Sequence, residues 1–335
     1  MLIIGIPGKT LSDDDRVWLS APQVSGVILF SRNFANRDQV TELIDDIRME
    51  RPDDPFLICV DQEGGPIQRF RDGFTRLPAL SRIGALYDKE PKRALALAED
   101  HAWLMASEMR AIDIDLSFAP VADLARGNLA IGERAFHSDP AVVSALVQAY
   151  ARGMHLAGMA VTLKHFPGHG SVVADTHFDV AHDPRTLADL RTTDLVPFID
   201  GFAAGAEAVM LAHVTYPEID VLAAGYSPLW ITDILRNECG FGGIVIGDDI
   251  GMAAAEAIGT IPQRIQAHLD AGCDLVLACS PAIVDEAVTW SSDLPACAAE
   301  RVESLRGAVA PTWEALVEDP KRSEVAARLA ELLAK

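Results

Sequence analysis

Residues 161–183 concentrate the reactive side chains of this chain. The stretch runs Val-Thr-Leu-Lys-His-Phe-Pro-Gly-His-Gly, then Ser-Val-Val-Ala-Asp-Thr-His-Phe-Asp, then Val-Ala-His-Asp. It holds four of the nine histidines: His165, His169, His177 and His182. An apolar run at 159–163 reads as a short buried strand that stops at Lys164 and His165, two groups costly to bury without partners. Pro167, Gly168 and Gly170 then break regular structure and open a loop that carries Asp175 and His177.

Three chemistries fit these residue types. Asp175 and His177 form a potential acid/base dyad, the carboxylate holding the imidazole and raising its basicity. His165, His169 and His177 are potential metal ligands, although Pro167 and Gly168 prevent the first two from sharing a helical face. Lys164 at a strand end is a potential Schiff-base nucleophile. Each has a plainer counterpart, since short-range Asp/His pairs are common in loops and polar residues commonly cap helices.

These groups need elements to position them. Apolar runs at 26–30, 56–60, 114–118, 159–163, 208–211, 243–246 and 274–277 read as strands. Helical patterns lie between them. Residues 38–49 put Val40, Leu43, Ile44 and Ile47 on one face, and 91–111 form an Ala-rich helix. Asp139-Pro140 is a cap and first-turn pair for a helix closed by Gly158, and Asp183-Pro184 repeats that start. Further helices are expected at 197–204, 227–238 and 261–271. Strands alternating with helices predict a parallel sheet with right-handed crossovers. Equal small units, each ending in polar residues, favour a closed (β/α)8 barrel with its site at the C-terminal strand ends. No linker or low-complexity tract divides the chain, so one domain over 1–335 is expected.

Polar groups follow six of these strands: Arg32-Asn33, Asp61, Asp123, Lys164-His165, His213 and Asp248-Asp249. A barrel brings all six to one face. Asp123 and Asn33 also suit ordinary caps, which explain less well a Lys-His pair directly after an apolar run or a double Asp after Ile-Val-Ile. Gly64 and Gly65 permit a tight turn that returns Arg69 over the pocket of Asp61. Arg134 sits in another loop, and both arginines suit hydroxyl, amide or carboxylate oxygens.

Composition narrows the function. The 335 residues carry a formal charge of −21. Such acidity opposes binding to nucleic acid or to anionic membranes. Five scattered cysteines without CxxC spacing suggest reduced thiols in the cytoplasm. Cys59, Cys273 and Cys279 lie in or beside apolar runs and are expected in the core. The opening Met-Leu-Ile-Ile-Gly-Ile-Pro lacks a basic leader, and no apolar run is long enough to span a bilayer.

Taken together, the motifs resemble glycoside hydrolase family 3. Lys-His-Phe-Pro-Gly-His-Gly (164–170) with Asp-Thr-His (175–177) is similar to the signature loop of its β-N-acetylglucosaminidases, particularly the single-domain cytoplasmic branch of peptidoglycan recycling. Gly-Val-Ile-Leu-Phe-Ser-Arg-Asn (26–33), Asp-Gln-Glu-Gly-Gly-Pro-Ile-Gln-Arg-Phe-Arg (61–71) and Ala-Ile-Gly-Glu-Arg-Ala-Phe (130–136) match in order. So do Met-Leu-Ala-His-Val-Thr-Tyr-Pro (210–217) and the Gly-Phe to Gly-Met segment at 240–252. The similarity extends from about residue 19 to 279.

The resemblance implies a retaining exo-β-N-acetylglucosaminidase that acts on muropeptides. By it, Asp248 is the nucleophile, and His177, paired with Asp175, is the general acid/base. Asp61, Arg69, Arg134, Lys164 and His165 take the sugar-binding positions. No metal or cofactor, a saccharide as the partner, and a cytoplasmic monomer are implied. Gly247, Pro66 and Cys279-Ser280 depart from the family pattern. A metal-dependent hydrolase using the 165–177 histidines and a non-catalytic sugar-binding barrel are the alternatives. The loop bearing His177 is expected to close on substrate.

Overall fold

A computed structural model describes residues 1–52, 54–172 and 181–333. Eight parallel strands form its centre: β1 (Leu2–Gly5), β2 (Val24–Leu29), β3 (Leu57–Val60), β4 (Leu116–Ser117), β5 (Thr162–Phe166), β6 (Ala208–Leu211), β7 (Ile244–Gly247) and β8 (Leu275–Ala278). Their order is β4-β3-β2-β1-β8-β7-β6-β5. The ring closes where the chain beyond β4 meets β5. Val121 bridges Lys164 in parallel, and Ala122 N donates to Lys164 O at 2.7 Å. The (β/α)8 barrel expected from the alternation is therefore the observed architecture.

Alternation along each strand divides the core into two layers. Ile3, Leu57, Cys59, Ile244, Ile246, Leu275 and Leu277 pack inside the barrel. Their neighbours Leu2, Ile4, Ile58, Val60, Val245 and Val276 face the helices. Burial on both faces explains why these strands read as continuous apolar runs. The helix Arg37–Glu50 buries Val40, Leu43, Ile44 and Ile47, the face its spacing predicts. Asp139 caps the helix Pro140–Leu156 by accepting from Ala141 N. All five cysteines are free thiols, with Cys59 and Cys273 buried.

Three local expectations are corrected. The first strand, β1, was not expected, yet it pairs with both β2 and β8. The fifth strand begins and ends later than 159–163, so Lys164 and His165 lie inside it rather than beyond it. Asp183-Pro184 starts no helix. Asp183 is buried and pairs with Arg185 at 2.6 Å, while Thr186 caps the helix Leu187–Arg191 in a reciprocal box with Asp189.

Candidate active site

The C-terminal strand ends surround a cavity of about 400 Å³, a volume suited to a small ligand. Six of the expected site residues line it: Asp61, Arg69, Arg134, Lys164, His165 and Asp248. Ile28, Phe118, Met210 and Leu277, from the top of the barrel interior, form an apolar floor beside them. Asp175 and His177 lie outside the described residues.

Each polar wall is held by its own network. Beyond β3 the chain forms the antiparallel ribbon Gln62–Gly64 with Ile67–Gln68, turned by Gly64 and Gly65 at φ 89° and 53°. The positive φ values explain the paired glycines, because L side chains rarely adopt them. The turn brings Arg69 Nη2 to 3.7 Å from Asp61 Oδ2. Lys164 Nζ lies 2.8 Å from Asp61 Oδ1 and 2.5 Å from Glu63 Oε1. Arg134 binds Glu63 through two donors, each at 2.8 Å.

Glu63 was not expected from the sequence. It is buried between Lys164 and Arg134. Burial alone would push its carboxyl up, but Arg134 and Lys164 together hold it well below the usual carboxylate range. Its signal was its place in Asp-Gln-Glu-Gly-Gly, two residues after Asp61, a spacing that puts both carboxylates on one side of an extended chain, where both reach Lys164.

Asp123, which suited a simple cap, has a larger role. It is buried and accepts from His165 Nδ1 at 2.7 Å and from His169 N at 2.7 Å. Burial raises its carboxyl, yet His165 and His169 keep it below the ordinary value. With Nδ1 committed to Asp123, Nε2 is the nitrogen of His165 left for a ligand. His169 is itself lowered, chiefly by burial, and its Nδ1 lies 3.0 Å from Asn128 Nδ2. No group of three or more His, Cys, Asp or Glu among the described residues has a metal-holding arrangement.

Opposite these networks, Asp248 follows β7. Its Oδ1 accepts from Asp249 N at 2.8 Å. Asp249 is spent differently: its Oδ1 accepts from Gly251 N and Cys279 N, both at 3.0 Å. Burial, with Asp248 nearby, raises the Asp249 carboxyl above its ordinary value despite those two bonds. Both aspartates line the cavity, but Asp249 also braces the turn through its bonds to Gly251 N and Cys279 N.

The Glu63 network carries a testable linkage. Glu63→Gln leaves Lys164 and Arg134 buried beside a neutral amide, and breaking a buried pair in this way costs about 3–5 kcal/mol. The folded carboxyl is depressed, so the stability it contributes is present above its unfolded value of about 4.3 and is lost as pH falls through the folded value. The expected result is a large melting-temperature gap between wild type and variant at pH 7 that narrows below about pH 4. A gap independent of pH would contradict this account.

A barrel with carboxylates, cations and an imidazole converging on one polar cavity over its strand ends defines an enzyme of small polar substrates. The chain belongs to glycosyl hydrolase family 3: the model of that family's N-terminal domain matches residues 3–304. It is a glycoside hydrolase. A beta-hexosaminidase of Stenotrophomonas maltophilia (strain R551-3) is 56% identical over 336 residues, covering 100% of this chain and 99% of the relative. One from Xylella fastidiosa (strain M12) is 53% identical over 331 residues, covering 99% and 98%. The crystal structure of NagZ from Neisseria gonorrhoeae in complex with N-trifluoroacetyl-D-glucosamine superposes with a TM-score of 0.91. It is 36% identical, over 99% of this chain and 97% of that one.

Proposed function

We propose that this chain is a retaining exo-β-N-acetylglucosaminidase that removes terminal non-reducing N-acetylglucosamine from peptidoglycan fragments in cell-wall recycling. It works as a cytoplasmic monomer of one domain, without metal or cofactor. The observation that carries the reading is the shared cavity of Asp248 with Asp61, Arg69, Arg134, Lys164 and His165. The beta-hexosaminidase relatives and the neighbour bound to N-trifluoroacetyl-D-glucosamine support the amino-sugar specificity. No described helix is long and apolar enough to cross a membrane.

In this reading Asp61, Lys164 and Arg69 meet the sugar hydroxyls, and Arg134 and His165 complete the binding wall. Asp248 attacks the anomeric carbon and forms a glycosyl ester as the leaving-group oxygen takes a proton from His177. The same imidazole then removes a proton from water, which displaces Asp248 and releases the sugar with its configuration retained. Asp175 orients His177. An imidazole avoids placing a second carboxylate against the anionic nucleophile, which departs from the usual two-carboxylate arrangement.

A chromogenic aryl N-acetyl-β-glucosaminide compared with the matching β-glucoside tests the specificity. The expected kcat/KM ratio is about 100-fold or more in favour of the N-acetyl sugar, with turnover unchanged after prolonged chelator treatment. Equal turnover of the two sugars overturns the substrate assignment. Loss of activity that zinc restores overturns the metal-free mechanism.

A further inference from the structure

Behind the Asp248 turn, away from the sugar-binding wall, lies a buried group of aromatic and imidazole rings. His213 follows β6, Tyr226 ends the short turn Ala224–Tyr226 that follows the antiparallel ribbon Val214–Tyr216 with Asp220–Ala223, and His268 stands in the last turn of the helix Ile261–Ala271. The Tyr226 and His268 ring centroids are 4.2 Å apart, and His213 lies 5.5 Å from Tyr226 and 5.7 Å from His268. All three residues are buried.

Two features tie this group to the turn. His213 Nε2 donates to the carbonyl oxygen of Asp249 at 3.1 Å. His268 lies against Gly247, the residue before Asp248. A Cβ added to Gly247 would sit 2.6 Å from His268 Nδ1 and 2.8 Å from Cε1. The same ring also packs on Gly225, where an added Cβ would meet Cε1 at 2.9 Å, and Nδ1 donates to Gly225 O at 2.8 Å. The imidazole thus fills the space of a side chain at 247. Burial, with His213 beside it, pulls the His268 imidazole down to about 3, so the ring stays neutral and keeps a single N–H for Gly225.

This packing is expensive. His213 Nδ1, Tyr226 Oη and His268 Nε2 are buried without a hydrogen-bond partner among the described residues. Apolar rings would fill the same volume without that penalty. What the imidazoles add is direction: one N–H fixes the carbonyl after Asp248, and one ring plane fixes the backbone before it. Departures from the cheapest packing concentrate at functional sites.

We propose that His213 and His268 are positioning residues that clamp the backbone on both sides of Asp248 and so aim its carboxylate at the anomeric carbon. The proposal rests on the reading of Asp248 as nucleophile. A clamp of this kind acts on the rate of attack rather than on sugar binding, because the sugar is held by the opposite wall. A displacement of about 1 Å at a reacting group costs on the order of 100-fold in rate.

The test is a double-mutant cycle on Gly247→Ala and His268→Ala, reading kcat, KM and melting temperature with the aryl N-acetylglucosaminide. Gly247→Ala alone pushes a methyl into the ring and is expected to lower kcat about 10- to 100-fold while KM stays within threefold. In the double variant the methyl occupies vacated space, so at least half of the logarithmic loss is expected to return. A kcat for Gly247→Ala within threefold of wild type overturns the clamp, as does a double variant whose losses simply add. Should Gly247→Ala fail to fold, His213→Phe keeps the ring and removes the donor. It is expected to show the same kcat-selective loss, with recovery in His213→Gln; unchanged kcat in His213→Phe overturns the proposal. Wild type inactive on the N-acetyl sugar counts against the functional reading, and the cycle then runs on the glycoside that wild type does hydrolyse.

Discussion

Asp248→Ala is expected to lower turnover by about 10⁴-fold or more, the scale on which removing a covalent nucleophile acts. The expectation follows from position and company. Asp248 emerges from β7 into the cavity where Asp61, Arg69, Arg134, Lys164 and His165 converge. Its neighbour Asp249 cannot replace it, because its carboxylate is held by Gly251 N and Cys279 N. Asp249→Ala loosens the turn and is expected to lose far less. A fluorinated sugar that traps the ester should label the peptide containing Asp248, detected by mass spectrometry. Label on another residue, or a fully active Asp248→Ala, would defeat the assignment.

What the sequence revealed, and what it hid, divides along the range of the interactions. Seven strands were visible because barrel strands buried on both faces are short apolar runs bounded by polar residues. β1 escaped because Leu2–Gly5 has no helical pattern ahead of it, and its place is defined only by pairing with β2 and β8. Lys164 was placed beyond its strand because a buried ammonium needs partners. Those partners, Asp61 and Glu63, stand about 100 residues away in the chain and become neighbours only when β3 and β5 share a barrel. Glu63 was missed as a site residue, and Asp123, though placed at a strand end on the site face, was read as an ordinary cap, for the same reason. A carboxylate between two cations, or between two histidines, looks in sequence like any other acidic loop residue. The described residues expected at the site line the cavity and were legible from motif and strand end, and Glu63, which holds two of them in place, was not.

The clamp behind Asp248 extends this contrast. Gly247 followed by a double Asp reads in sequence as a polar strand end, with Gly247 a departure from the family pattern. In the fold it is tightly confined, with the His268 ring where a side chain would stand and the Asp249 carbonyl bonded to His213. Precision at a nucleophile comes from such supporting contacts rather than from the reacting residue itself.

His177→Ala is expected to separate substrates by their leaving groups. A natural saccharide leaves as an alkoxide unless it is protonated, so losing the general acid should slow its cleavage by about 10²- to 10⁴-fold. An activated aryl leaving group departs without a proton. Its single-turnover glycosylation should therefore change little, while release of the sugar slows because water has lost its base, and the glycosyl–Asp248 ester should accumulate. Asp175→Ala should show the same pattern more weakly, since a partner carboxylate acts only through the imidazole. The carboxylate favours imidazolium, so its removal lowers the imidazole pKa. The general acid must be protonated in the first step, and the alkaline limb of the pH–rate profile should accordingly move to lower pH. Equal slowing of activated and unactivated glycosides in single-turnover glycosylation would remove His177 from the acid/base role. Asp248 could then still be the nucleophile, because trapping of the ester tests it independently of the group that protonates the leaving oxygen.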